Sequence, residues 1–132
     1  MGRALIPGMV VYLAGDLGAG KTTLARGMLR GLGYTGRVKS PTFTLVELYK
    51  FSKLYLYHFD FYRFDAGPEL DDAGFREYFT ADAVCLVEWP EKADGLPAAD
   101  LHIALRVANG GRTIDLRADT EVGKLCMDRL QL

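Results

Sequence analysis

The chain has little of several things, and each shortage removes a class of protein. Only two cysteines occur in its 132 residues, too few for the disulfide framework of a small secreted domain. Cys85 falls in an apolar run and Cys126 on the apolar side of a C-terminal helical pattern, so both read as small core residues. No apolar stretch approaches the length of a membrane span. The opening Met1 to Pro7 carries one positive side chain but too few apolar residues for a signal peptide. The expectation is a cytoplasmic protein with no membrane contact. A formal net charge of −1 gives no global attraction to nucleic acid, so an RNA link would be local or carried by a partner. Asn109 is the sole asparagine and is followed by glycines, so the N-K-x-D segment with which GTPases read guanine is missing.

What is present is a soluble globular composition, 49% hydrophobic and 25% charged. The length fits one domain over residues 1–132, with a real core but no room for a second domain and a closing lid. Gly15-Asp16-Leu17-Gly18-Ala19-Gly20-Lys21-Thr22 matches G-x-x-x-x-G-K-[ST] at every position. The pattern needs glycines because consecutive backbone N–H groups must turn toward one polyphosphate, through dihedrals that a side chain blocks. Lys21 then reaches the β- and γ-phosphates, and the Thr22 hydroxyl can ligate Mg²⁺. The flanks agree: the apolar run Met9 to Ala14 reads as a strand, and Leu24, Ala25, Met28, Leu29 and Leu32 form a helical stripe. Gly31 and Gly33 mark where that helix should end. Strand, glycine loop and helix thus follow in the order that aims a helix N-terminus at phosphate.

Further along, residues 44–49 and 54–60 are β-rich runs with a four-residue connection, the spacing of an antiparallel hairpin. Residues 68–79 read as a short helix or two, weakened by Gly74. Residues 83–89 form a continuous apolar run that suits a central strand. Residues 101–107 alternate, turn at Asn109-Gly110-Gly111 and return over 113–117 as a second hairpin. Val122, Leu125, Cys126 and Leu130 line one face of a last helix begun near Thr120.

Three other features bear on chemistry. Ser40-Pro41-Thr42-Phe43-Thr44 lies where P-loop proteins often carry a switch loop, and its hydroxyls could meet Mg²⁺ or the γ-phosphate; an ordinary turn into a strand fits equally. The run Tyr57-His58-Phe59-Asp60 ends a strand on an acid, and Val84 to Glu88 ends another. A strand-terminal carboxylate beside a P-loop can hold the metal or its waters, so Asp60 and Glu88 compete for one role. Arg26, Arg30, Arg37 and Lys39 supply local positive charge, either a solvated face or an RNA or partner site.

Taken together, GDLGAGKTTLARG, SPTFTLVE, HFDFYRF and LVEWPE, in this order and spacing, resemble the TsaE family of small bacterial P-loop ATPases. The resemblance runs from about Pro7 to Val107. It implies an α/β fold of the P-loop NTPase type, three layers deep, with a mixed sheet and flanking helices. It also implies an ATPase using ATP and Mg²⁺, acting with TsaB and TsaD in making threonylcarbamoyladenosine in tRNA. The tRNA is then met through the complex, and TsaD carries out the transfer.

Residue by residue, the resemblance makes Leu17, Gly18, Ala19, Gly20, Lys21 and Thr22 the phosphate cradle, with Thr23 beside them. Thr22 and Glu88 become the Mg²⁺ ligands and Asp60 the residue that positions or activates the attacking water. Thr42 joins Lys21 and Asp60 in the catalytic set, and Tyr62, Arg63 and Trp89 belong to the family's functional pattern. Arg112 either helps hold the base or is a solvated hairpin arginine. Family members carry a further strand and helix ahead of the segment matching Ala4 to Met9, a piece that would cover one side of the sheet and help enclose the adenine. Two other readings of the P-loop are a small-molecule kinase, which lacks a lid here to exclude water, and a non-hydrolysing nucleotide-gated module.

Overall fold

A computed structural model of the chain describes residues 4–15, 20–38, 46–51, 54–62, 75–93, 95–108 and 110–130. Its strands are β1 (Val10–Ala14), β2 (Val46–Lys50), β3 (Tyr55–Asp60), β4 (Ala83–Glu88), β5 (Leu101–Ala108) and β6 (Gly111–Ala118). They form one six-stranded sheet in the order β2-β3-β4-β1-β5-β6. β1, β3, β4 and β5 run parallel, while β2 and β6 pair antiparallel to β3 and β5 at the edges. The fold is thus the expected α/β class with a mixed sheet and flanking helices, and both hairpins are present. Parallel strands covered on both faces read as continuous apolar runs. β4 is the clearest case, buried at every position from Ala83 to Glu88.

Helix α1 (Lys21–Gly31) follows β1 and buries Lys21, Ala25, Met28 and Leu29, the i, i+4, i+7, i+8 stripe of a helix lying on a sheet. Of the two glycines at its end, Gly31 lies inside the helix and Gly33 terminates it, with φ 97°. The Gly33 N–H donates to the Arg30 carbonyl and the Tyr34 N–H to the Leu29 carbonyl, both at 3.0 Å. This paired arrangement needs the left-handed backbone that glycine adopts without penalty.

Helix α2 (Glu121–Arg129) starts at Thr120, whose Oγ1 accepts from the Gly123 N–H at 3.0 Å and donates to Asp100 Oδ1 at 2.7 Å. The other oxygen of Asp100 accepts from the Val10 N–H at 2.7 Å. One carboxylate therefore ties the first residue of β1 to the cap of the last helix.

The core is divided by the sheet. Val11, Leu13, Leu56, Val84, Leu86, Leu101 and Ile103 pack with Ala25, Met28 and Leu29 of α1 and Cys126 of α2. On the opposite face Phe59, Phe61, Cys85 and Val87 pack with Ala93, Tyr78, Phe79 and Leu96. Two short 3-10 turns, Phe75–Tyr78 and Pro90–Lys92, flank that second cluster. The rest of the helical expectation over 68–79, residues 68–74, lies outside the described residues. Both cysteines are buried and unbridged, and burial pushes the Cys85 thiol up to about 12. No helix among the described residues is long and apolar enough to cross a membrane.

The connections place the site. From β1 the chain passes through α1 toward β2 and β3, and from β4 it passes to β5 on the other side of β1. The carboxyl ends of β1 and β4 therefore border a topological switch point, where open α/β sheets take their ligands.

Candidate active site

The site is built at that end from Gly15 and Gly20, the first turn of α1, and the last residues of β3 and β4. α1 begins on Gly20, which has φ 104° and gives no side-chain cap, and its first turn has no acidic residue. A Cβ on Gly20 would meet nothing within 4 Å, so glycine is required there by the backbone and not by space. The helix start accordingly offers N–H groups and dipole to an anion with no carboxylate of its own in competition.

Lys21, the first residue of the helix, is only 6% exposed. Its Nζ donates to the Gly15 carbonyl oxygen at 2.6 Å and stands 3.8 Å from the centre of the Trp89 ring, a cation–π contact. Burying an ammonium is costly unless it is partnered, and these contacts hold it at the switch point. Thr22 is half-buried and Thr23 exposed on the same turn.

The acids come from neighbouring strands in register. Asp60 pairs with Glu88 across β3 and β4, and Glu88 with Leu13 across β4 and β1. Residues directly paired in parallel strands project to the same face, here the face of α1. Both acids are buried, at 5% and 2% exposure. Asp60 Oδ1 accepts from the Tyr62 N–H at 2.9 Å, an Asx-type turn that orients the carboxylate as the strand ends. Glu88 Oε2 lies 2.5 Å from Nε2 of His58, itself fully buried.

Just past Glu88 the backbone bends sharply. Trp89 has φ 58° and ψ 50° and is the single non-glycine residue with positive φ among those described. Such a conformation costs on the order of 1–3 kcal/mol and persists where the surroundings enforce it. Here it brings the indole over Lys21 and 5.1 Å from the Tyr62 ring.

The sequence-derived residues fall into three groups. Gly20, Lys21, Thr22, Asp60 and Glu88 come together at the carboxyl ends of β1, β3 and β4. Arg112 sits at the start of β6 opposite Val107, at the same end of the sheet, but is exposed and lies two strands away from β1. Leu17, Gly18, Ala19 and Thr42, with Lys39, Thr44 and Arg63, lie outside the described residues. His58 was missed. It precedes Asp60 by two residues on a strand, hence on the same face, and that i, i+2 pairing of polar residues in an aromatic run is the signal that marks it.

The fold and these residues define an α/β protein with a mixed six-stranded sheet, flanking helices and two buried acids at the switch point. A family model described as "Threonylcarbamoyl adenosine biosynthesis protein TsaE" matches residues 1–114, and the chain belongs to that family. Among curated relatives, the "tRNA threonylcarbamoyladenosine biosynthesis protein TsaE" of Haemophilus influenzae is 52% identical over 117 residues, 88% of this chain and 74% of the relative. The protein of that name from Bacillus subtilis is 48% identical over 103 residues, 77% of this chain and 64% of its own length. The crystal structure of Bacillus subtilis YdiB superimposes with a TM-score of 0.80 at 37% identity, covering 98% of this chain and 82% of that one.

Proposed function

We propose that this chain binds Mg·ATP and hydrolyses it as the ATPase component of the machinery that makes threonylcarbamoyladenosine in tRNA, in the cytoplasm and together with TsaB and TsaD. The observation that carries the reading is the meeting of Lys21 and two buried acids, Asp60 and Glu88, at the switch point. Family membership supplies the biosynthetic setting.

The donor set suits the metal. Mg²⁺ takes hard oxygen ligands and keeps several positions for water and phosphate. A hydroxyl and one carboxylate, Thr22 and Glu88, are therefore enough to hold it. Among the described residues no cluster of three or more His, Cys, Asp or Glu forms a protein-only cage. When bound, the ion would neutralise negative charge on the phosphate groups during transfer.

The chain's own residues do the rest. The N–H groups at the start of α1 and the Lys21 ammonium stabilise charge on the phosphoryl group in transfer. Asp60 accepts a hydrogen bond from the attacking water, aligns it with the γ-phosphorus and takes up its proton as the new O–P bond forms and the bond from the γ-phosphorus to the bridging oxygen breaks, with ADP leaving. The Trp89 ring stands over the Lys21 ammonium and beside Tyr62, holding the lysine at the end of the sheet where the acids lie. ATP and not GTP is the nucleotide, because the guanine-reading segment is missing from the sequence.

The test is phosphate release by the chain alone, with TsaB and TsaD, and with tRNA added. Slow release alone and faster release in the complex is the expected pattern. Tight ATP binding with no release in any mixture would leave a nucleotide-gated module in place of an ATPase.

A further inference from the structure

His58 belongs to no part of the phosphate or water chemistry, yet it is the most completely buried polar residue beside the site. It lies at 0% exposure on β3, in register with Leu86 of β4, and reaches along the strand to Glu88, two residues further on. Its Nε2 stands 2.5 Å from Glu88 Oε2. Its Nδ1 is the buried side-chain nitrogen or oxygen that has no hydrogen-bond partner among the described residues.

These facts fix the tautomer. At this separation two lone pairs repel strongly, so the proton lies on Nε2 and is donated to the carboxylate. The opposite tautomer would set a lone pair against Oε2 and also leave a buried N–H unsatisfied at Nδ1, a loss on two counts. The Nε2–H donor restrains one oxygen of Glu88 and leaves the other open to a divalent cation.

We propose that His58 is a positioning residue for the metal ligand: the Nε2–H bond to Oε2 fixes the Glu88 side chain and leaves Oε1 to coordinate the ion. The proposal rests on the reading of Glu88 as a holder of Mg²⁺. Outer partners of this kind typically account for about 10–100-fold in metal affinity, because an unrestrained carboxylate must be ordered each time the ion binds.

The experiment measures binding of Mn²⁺, as a paramagnetic probe, to the protein–ADP complex by electron paramagnetic resonance. ADP affinity is measured separately in EDTA. His58→Gln puts an amide N–H close to where Nε2 stands, His58→Asn puts it where Nδ1 stands, and His58→Phe removes it. The expected result is Mn²⁺ binding about 10–100-fold weaker in the Asn and Phe variants, near-normal binding in the Gln variant, and unchanged ADP affinity in EDTA in all three. Normal Mn²⁺ binding in the Asn and Phe variants, with Glu88→Gln impaired, overturns the role of His58. Normal binding in Glu88→Gln overturns the metal assignment of Glu88 itself, so the two failures are distinct.

Should the Asn and Phe variants not fold, nitrogen-15 shifts of the wild-type imidazole decide. His58 and His102 are the two histidines of the chain, so a His102→Gln spectrum assigns them. A proton on Nε2 of His58 is expected, and a ring protonated at Nδ1 alone refutes the proposal.

Discussion

Replacing Asp60 by asparagine separates the chemistry assigned to that residue from its structural part. The carboxylate is 5% exposed, and its Oδ1 accepts the Tyr62 N–H at 2.9 Å. An asparagine has the same shape and keeps a carbonyl oxygen for that bond, so the cost to stability is expected to be about 1 kcal/mol or less. What it loses is the negative charge and the basic oxygen that align the water and take its proton. General-base contributions are typically about 10²–10⁴-fold, which corresponds to about 3–5 kcal/mol of barrier. The assay is single-turnover phosphate release at saturating Mg·ATP with TsaB and TsaD present, beside ATP affinity and melting temperature. Affinity and melting should hold while release slows by at least about a hundredfold. Asp60→Ala should slow release similarly and lose about 1 kcal/mol more stability, since the Tyr62 bond goes as well. Wild-type release by Asp60→Asn would refute the assignment.

Other predictions follow from the packing and the charges. Gly123→Ala should destabilise the fold by about 2–3 kcal/mol, because a Cβ there would overlap the Asp100 carbonyl, whose carbon is 2.8 Å away; a melting temperature equal to wild type contradicts this. Burial raises the Cys85 thiol from 9.0 to about 12, so the unfolded chain loses that proton first. Stability is then unaffected below pH 9.0 and falls above it, by up to about 1.4 kcal/mol per pH unit, until the folded thiol also ionises. Denaturant melts at rising pH should show a shallower fall in Cys85→Ala. Arg37 is exposed on the stretch after α1, and charge reversal there together with Lys39 should weaken assembly with TsaB and TsaD while sparing ATP affinity, as read by co-sedimentation and nucleotide titration.

Much of this architecture was legible because local patterns and the fold agree. The α1 stripe, the apolar run of β4 up to Glu88 and the two hairpins follow from side-chain periodicity, and Thr120 and Gly33 announce their helix ends by cap chemistry. Asp60 and Glu88 were legible as strand-terminal acids, but which of them ends the strand beside β1 was not. That depends on strand order and register, properties of long-range pairing that no local pattern encodes. The same holds for His58, whose partner lies 30 residues away, and for the left-handed Trp89, whose strain is imposed by what it packs against. Asp100 is a similar case, an ordinary loop acid until β1 and α2 are brought to either side of it.

The central claim is that nucleotide binds where the start of α1 meets the ends of β3 and β4. Trp89 reports on it directly, being the only tryptophan in the chain and 3.8 Å from the Lys21 ammonium. Titrating Mg·ATP while following its emission should give a saturable change. In Lys21→Met the change should need about 10–100-fold more ATP, as expected for the loss of charge-assisted bonds of about 1.5–3 kcal/mol. Binding of ATP by equilibrium dialysis with no change in Trp89 emission, and with equal affinity in Lys21→Met, would contradict the account.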